Sequence, residues 1–300
     1  MTTGKLHPDE PDIDLSLVRR LVRAQFPRWA NLPIEAFASA GTDNAIYRLG
    51  DDMAVRLPRL ERVVSQIEKE QRWLPVLAPH LPLAVSLPLA AGVPAEGFPW
   101  AWSVYRWLPG ESAATGHLDD PSEAARALAG FLGALQALDT AGGPVPTAEN
   151  FRRGLPLAHR DAATRRAIEE LEGRVDTRAA TAAWEAALRA PNWKRAPVWI
   201  HGDLLPGNLL VHEGRLSAVI DWGGLGVGDP AVDLITAWSL FSVGSREVFR
   251  GALDVDEATW ARGRGWALSI ALIALPYYWD TNPAFARVAR RTLEEVLADR

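Results

Sequence analysis

Between Trp199 and Trp222 the chain carries His201, Asp203, Asn208 and Asp221, with Asn208 five residues beyond Asp203. One apolar run, Val198 to Ile200, leads into the polar turn that holds Asp203. A second, Ala218 to Ile220, ends at Asp221. Phosphoryl transfer needs residues of these types. One carboxylate must receive or orient the proton of an acceptor hydroxyl, and oxygen ligands must hold Mg2+ on the β- and γ-phosphates. Mg2+ prefers such hard oxygens, and one or two carboxylates with phosphate oxygens suffice. Asp203, Asn208 and Asp221 supply that set. Two other readings use the same residues. Asp, Asn and Gly are turn formers in their own right. A metal hydrolase would recruit His201, Asp203, His212 and Asp221, although no His-rich partner follows and His212 falls in a turn with Glu213 and Gly214.

The ordered pattern resembles the aminoglycoside phosphotransferase and choline-kinase-like group of protein-kinase-fold enzymes. His201, Gly202 and Asp203 with Asn208 are similar to that family's catalytic loop. Asp221–Trp222 is similar to its metal-binding step, and Asp229–Pro230 with Asp233–Leu234 to the element that follows. The resemblance implies Asp203 as catalytic base, Asn208 and Asp221 as Mg2+ ligands, and ATP or GTP as phosphate donor. His201 would brace the loop, and Asp233 would tie it to a following helix.

A phosphate grip is then expected upstream. Met53 to Leu57 resembles the strand that carries the family's lysine, but Arg56 stands in that place. Arginine keeps the charge and can hold phosphate through two N–H groups, with a fork geometry unlike an ammonium. Arg48 and Arg59 are neighbouring alternatives. The helix glutamate that would pair with it falls at Glu70, with Glu68 two residues away and on another face. Residues Gly41 to Tyr47, with Thr42, Asp43 and Asn44, occupy the position of the nucleotide-covering loop. Tyr105 to Gly110 resembles the hinge, where the main chain of Arg106 and Leu108 would meet the base. No Walker A pattern occurs, which argues against a P-loop kinase.

The elements that must position these residues follow from composition and periodicity. From Ile34 to about Leu108 the pattern is strand-like, with a hairpin expected from Ala45–Leu49 and Met53–Leu57 around Gly50-Asp51-Asp52. Val63, Ile67, Leu74 and Leu77 space an amphipathic helix over residues 62–77, with Pro75 ending or bending it. Beyond Pro109 the chain turns alanine-rich and helical. Asp120–Pro121 starts a helix over 124–138, followed by helices over 162–175, 179–189, 260–279 and 283–297. The expected fold class is α+β, a bilobal protein-kinase-like fold. Residues 1–108 form a β-rich nucleotide lobe, with 1–11 expected to lack fixed structure, and residues 109–300 a larger helical lobe.

The remaining composition sets limits. Net charge is −5, with no basic footprint for nucleic acid. Cysteine is absent, which excludes disulfides and thiolate chemistry. No apolar stretch approaches membrane-spanning length. A cytoplasmic protein with no nucleic-acid or membrane partner is expected; its oligomeric state is not legible. Thirteen tryptophans point to core packing, with some lining a pocket. The resemblance allows several hydroxyl-bearing acceptors: an aminoglycoside, with antibiotic resistance as the implied role, or a macrolide, amino alcohol or sugar. Asp229, Tyr278 and Asp280 are the candidate acceptor contacts. A non-catalytic nucleotide-binding protein, with Arg56 marking impaired catalysis, is the reading of a different class.

Overall fold

The computed structural model describes residues 10–37, 43–148 and 150–299. The chain divides into two compact units. One comprises Met1–Pro79 and Ala84–Pro109, the other His80–Leu83 and Gly110–Arg300.

In the first unit, helix α1 (Leu15–Gln25) begins where the Asp14 carboxylate accepts the Leu17 N–H, a standard N-cap. It buries Leu17, Val18, Leu21 and Val22. Strands β1 (Ile34–Phe37), β2 (Asn44–Leu49), β3 (Met53–Pro58), β5 (Pro88–Gly92) and β6 (Trp102–Arg106) form an antiparallel sheet in the order β1-β2-β3-β6-β5, while β4 (Ala84–Val85) is a two-residue strand. The expected hairpin is present, with Leu49 opposite Met53 and Ile46 opposite Arg56. Gly50 turns the chain at φ +60°. Apolar residues of α1 pack with Tyr47, Leu49, Val55, Leu57, Trp102 and Val104 into one core.

Helix α2 (Val64–Leu77) packs against β5 and β6. Pro75 lies inside it without contributing an N–H to the ladder, and the helix ends two residues later, at Leu77. Glu10, near the end of the segment expected to lack structure, is buried and pairs with the equally buried Arg59.

The second unit is built on helices α3 (Pro121–Gln136), α4 (Asp161–Glu170), α5 (Thr177–Leu188), α6 (Thr236–Ser239), α7 (Val243–Leu253), α8 (Glu257–Tyr278) and α9 (Pro283–Ala298). Asp120 caps α3 by accepting the Ser122 and Glu123 N–H groups. The helices α1, α6 and α7 lie outside the expected set. Two small antiparallel ladders carry the loops of interest. In one, β7 (Glu111–Ser112) pairs with β9 (Leu209–His212), which pairs with β10 (Arg215–Val219). In the other, β8 (Val198–Ile200) pairs with β11 (Gly226–Gly228). Glu213 and Gly214 close the β9–β10 hairpin with positive φ at both positions, the pattern of a two-residue I′ turn.

Six tryptophans are fully buried: Trp102, Trp184, Trp199, Trp222, Trp238 and Trp266. Five of them donate their indole N–H within the protein, to Val93 O, Asp161 Oδ1, Asp139 O, Val219 O and Asp299 Oδ2 respectively. Trp266 does not. Among the described residues no helix is long and apolar enough to cross a membrane.

Candidate active site

The turn after β8 is held by its own main chain. The buried Asp233 carboxylate accepts the N–H of His201 at 2.8 Å and of Gly202 at 2.7 Å. Gly202 has φ +84°, and a Cβ there would lie 2.5 Å from the Gly224 carbonyl, so only glycine fits. His201 is fully buried. Its Nδ1 accepts the Asp203 N–H at 3.2 Å, which leaves the proton on Nε2 to donate to Ile220 O at 3.1 Å. Its ring packs on Trp222, with centroids 4.7 Å apart. His201 therefore joins the loop carrying Asp203 to the residue preceding Asp221. Because both ring nitrogens are committed to protein atoms, His201 is not placed to bind a metal, and His212 is exposed at the hairpin end. The hydrolase reading loses its imidazole ligands.

Asp203 is half-buried with both carboxylate oxygens engaged. Asn208 Nδ2 donates to Oδ2 at 3.1 Å and to the Asp203 carbonyl at 2.9 Å. Arg153 Nη2 donates to Oδ1 at 3.2 Å. Burial pushes the Asp233 carboxyl up to about 7. The N–H bonds from Gly202 and His201 and the charge of Arg153 pull it down, while the Asp203 charge adds to the rise.

The donor chemistry around this loop suits Mg2+. Asn208 spends its NH2 on Asp203, which turns its amide oxygen away as a hard ligand, and among the described residues nothing donates to that oxygen. Asp221 is exposed and adopts a left-handed conformation (φ 60°, ψ 73°) unusual for a residue with a side chain. Among the described residues no three His, Asp or Glu side chains converge, so phosphate oxygens would have to complete the coordination.

In the other unit, Arg56 on β3 reaches the buried Glu70 of α2. Its Nη1 lies 3.0 Å from both carboxylate oxygens. With the Asn44 amide oxygen turned toward it, Arg56 also donates through Nη2 at 2.9 Å and Nε at 3.0 Å. The Tyr105 hydroxyl donates to Glu70 as well, and burial first, then the Glu70 charge, holds that hydroxyl well above its usual range. Glu68 is exposed. Of the neighbouring arginines, Arg59 pairs with Glu10, and Arg48 donates to the Gly50 and Asp51 carbonyls. Asp43 accepts from Arg62 at 3.1 Å. Thr42 lies outside the described residues. At the hinge segment the Arg106 N–H is already bonded to Leu87 O, and its carbonyl accepts from Ser86. Among the described residues nothing accepts the Leu108 N–H.

The acceptor candidates fare differently. Asp229 needs correcting: it is buried, caps the turn at Ala231, and accepts from Arg262 through both oxygens at 2.7 and 3.1 Å, which removes it from any acceptor pocket. Tyr278 packs its ring against Tyr277 and Phe285, and Asp280 is exposed at the end of α8. Sequence reasoning missed Arg153, which sits 50 residues before its partner Asp203. The only local signal was an Arg-Arg-Gly step after Phe151.

A family model described as "Phosphotransferase enzyme family" matches residues 35–266. A Bacillus subtilis (strain 168) protein, the uncharacterised YcbJ, is 26% identical over 198 residues, which is 63% of this chain and 58% of that protein. The chain thus spans less than two thirds of that relative. An aminoglycoside 2'-phosphotransferase-IIIa solved as a GDP complex aligns with TM-score 0.72 and 18% identity, covering 96% of this chain and all of that one. A macrolide 2'-phosphotransferase from Brachybacterium faecium aligns with TM-score 0.60 and 25% identity, covering 93% and 98%. The first of these establishes the kinase-like fold.

Proposed function

Because the chain belongs to the phosphotransferase enzyme family, we propose that it transfers the γ-phosphate of ATP or GTP to a hydroxyl of a small molecule, with Asp203 as base. The observation that supports this most is the fixed carboxylate of Asp203, held by Asn208 and Arg153 on a loop whose main chain is tied by Asp233 and His201. A carboxylate so placed accepts the acceptor hydroxyl proton as the oxygen–phosphorus bond forms and the β–γ bridge breaks. Asn208 and Asp221 would hold Mg2+, which neutralises charge on the phosphates when bound. Arg56, positioned by Glu70 and Asn44, would hold the donor's phosphates. The Leu108 N–H would meet the base.

Three of the carboxylates that a polycationic acceptor could use are committed elsewhere, while Asp280 and Glu294 stay exposed. Asp229 is committed to Arg262, Asp233 to the loop backbone, and Glu295 to the buried Arg246. These are acidic side chains that an aminoglycoside would want free. The test is nucleotide consumption with Mg2+ across a panel of hydroxyl compounds, for wild type and Asp203→Ala. An acceptor-dependent rate that falls by about 10³ in the variant is expected, within the range for a general base. Nucleotide binding without turnover on any acceptor would instead identify a binding protein.

A further inference from the structure

Three of the five buried polar atoms without a hydrogen-bond partner among the described residues fall in one place: Arg153 Nε, Arg153 Nη1 and Trp266 Nε1. All three are donors. Arg153 uses only Nη2, on Asp203, although a guanidinium carries five N–H groups. Arg160 stands beside it. The two guanidinium carbons lie 5.8 and 5.4 Å from the same Trp266 ring centroid, and Arg160 Nε donates to Ser269 of α8 at 3.1 Å. Burial, with repulsion from Arg153, lowers Arg160 to about 9. The carboxylates facing Arg153 are Asp203 and Asp233, and both oxygens of Asp233 are taken by the loop N–H groups.

The backbone is bent to put Arg153 here. Phe151 and Arg152 both have positive φ, at 56° and 57°, conformations that side-chain-bearing residues rarely adopt in succession. Gly154 follows at φ +83°, where a Cβ would lie 2.6 Å from Ile200 Cδ1. The buried Asn150 accepts the Thr147 N–H across the same bend. Strain of this kind persists where the surroundings over-determine it, and it gathers at functional sites. Two arginines near one indole ring, with unused N–H groups on Arg153 and a carboxylate adjoining, are chemistry for binding an anion.

We propose that Arg153, Arg160 and Trp266 form an anion subsite beside Asp203, which takes a carboxylate or phosphate group carried by the acceptor. The inference rests on the reading of Asp203 as base. Arg153 is 11% exposed and Asp203 31% exposed. The acceptor therefore meets the guanidinium at the edge it shares with Asp203. Since Arg153 Nη2 and Asp203 Oδ1 are 3.2 Å apart, the reacting hydroxyl and the anionic group lie close together in the acceptor, as in a hydroxy acid or a polyol phosphate.

The experiment uses the full chain with Mg2+ and nucleotide. Hydroxy acids, sugar acids and polyol phosphates are compared with their neutral and amino counterparts. The anionic members are expected to exceed the neutral ones at least tenfold in kcat/KM, mainly through KM. The carboxylate and phosphate arms identify which anion is used. Arg153→Gln should raise KM for the anionic members at least tenfold more than for the neutral ones, and Arg153→Lys should recover part of that. If Arg153→Gln does not fold, the wild-type ranking and Arg160→Gln decide. Three results would overturn the subsite: a preference for ammonium-bearing acceptors, equal KM effects on neutral and anionic compounds, or no anionic compound raising turnover above the basal rate, as if the donors met only a buried water. Acceptor-dependent nucleotide consumption that persists undiminished in Asp203→Ala would instead retire the reading of Asp203 as base on which the subsite rests.

Discussion

The loop carrying Asp203 and the strand carrying Arg56 each present a charged side chain, but they are secured by different means. Around Asp203 most of the bonds go to the main chain: Asp233 to two N–H groups, His201 to the Asp203 N–H and the Ile220 carbonyl, and Asn208 to the Asp203 carbonyl, with Asn208 and Arg153 adding side-chain bonds to its carboxylate. Around Arg56 they run between side chains, through Glu70, Asn44 and Tyr105. A loop clamped through its backbone keeps its shape whichever side chain it displays, and it fails when a clamp is removed. A side-chain cluster depends on the shape of each member. The arginine fork, which spans Glu70 and Asn44, is integral to the second arrangement, so Arg56 supplies more than a positive charge.

Three changes would break or sharpen this contrast. The largest effect belongs to Asp233→Ala, which strips two buried N–H groups of their acceptor. Its cost should be about 4 kcal/mol, summed from the usual penalty for each unsatisfied group, with activity falling alongside. Urea unfolding measures it, and a loss below about 1 kcal/mol would mean that the main-chain clamp is not what secures the loop.

Arg56→Lys comes next. An ammonium reaching Glu70 leaves Asn44 without its donors, so a stability cost of about 1 kcal/mol is expected from the lost hydrogen bonding. Nucleotide KM should rise several-fold with little change in acceptor KM. Steady-state kinetics with each substrate varied in turn checks this. An unchanged nucleotide KM would show that the fork geometry is unimportant.

A third effect is a slope with pH. Asp233 in the fold titrates near 7, above its ordinary value of 3.8. Between those values the folded state holds the extra proton, so ionisation of Asp233 subtracts from stability as pH rises from about 4 to about 7. The stability advantage of wild type over Asp233→Asn should therefore narrow across that window and level off above it. Denaturant titrations at a series of pH values test the sign. A widening advantage would mean that the N–H bonds and Arg153 outweigh burial.

The legible part of this protein was local. The β2–β3 hairpin announced itself through Gly50-Asp51-Asp52, α2 through its apolar spacing, and α3 through Asp120–Pro121. The spacing of Asp203, Asn208 and Asp221 was readable because a turn and two short strands fix it within a few residues. Helices α1, α6 and α7 are not among the expected elements, although α1 has a clear Asp14 cap and an apolar face. Asp229 and Asp233 are carboxylates four residues apart, and Asp229, expected as an acceptor contact, is buried like Asp233. Their fates differ because Arg262 of α8 reaches one while the loop N–H groups reach the other.

By itself, then, the sequence determined the family, the order of elements and the residue types available for phosphoryl transfer, since short-range spacing and periodicity carry that information. Only the tertiary structure decided which charges remain available. Burial and long-range pairing withdraw Asp229, Arg59 and Glu10 from the surface, and set Arg153 against Asp203 with two of its nitrogens unused. The cost of burying a charge depends on every neighbour that packing brings to it, and those neighbours lie tens of residues away along the chain.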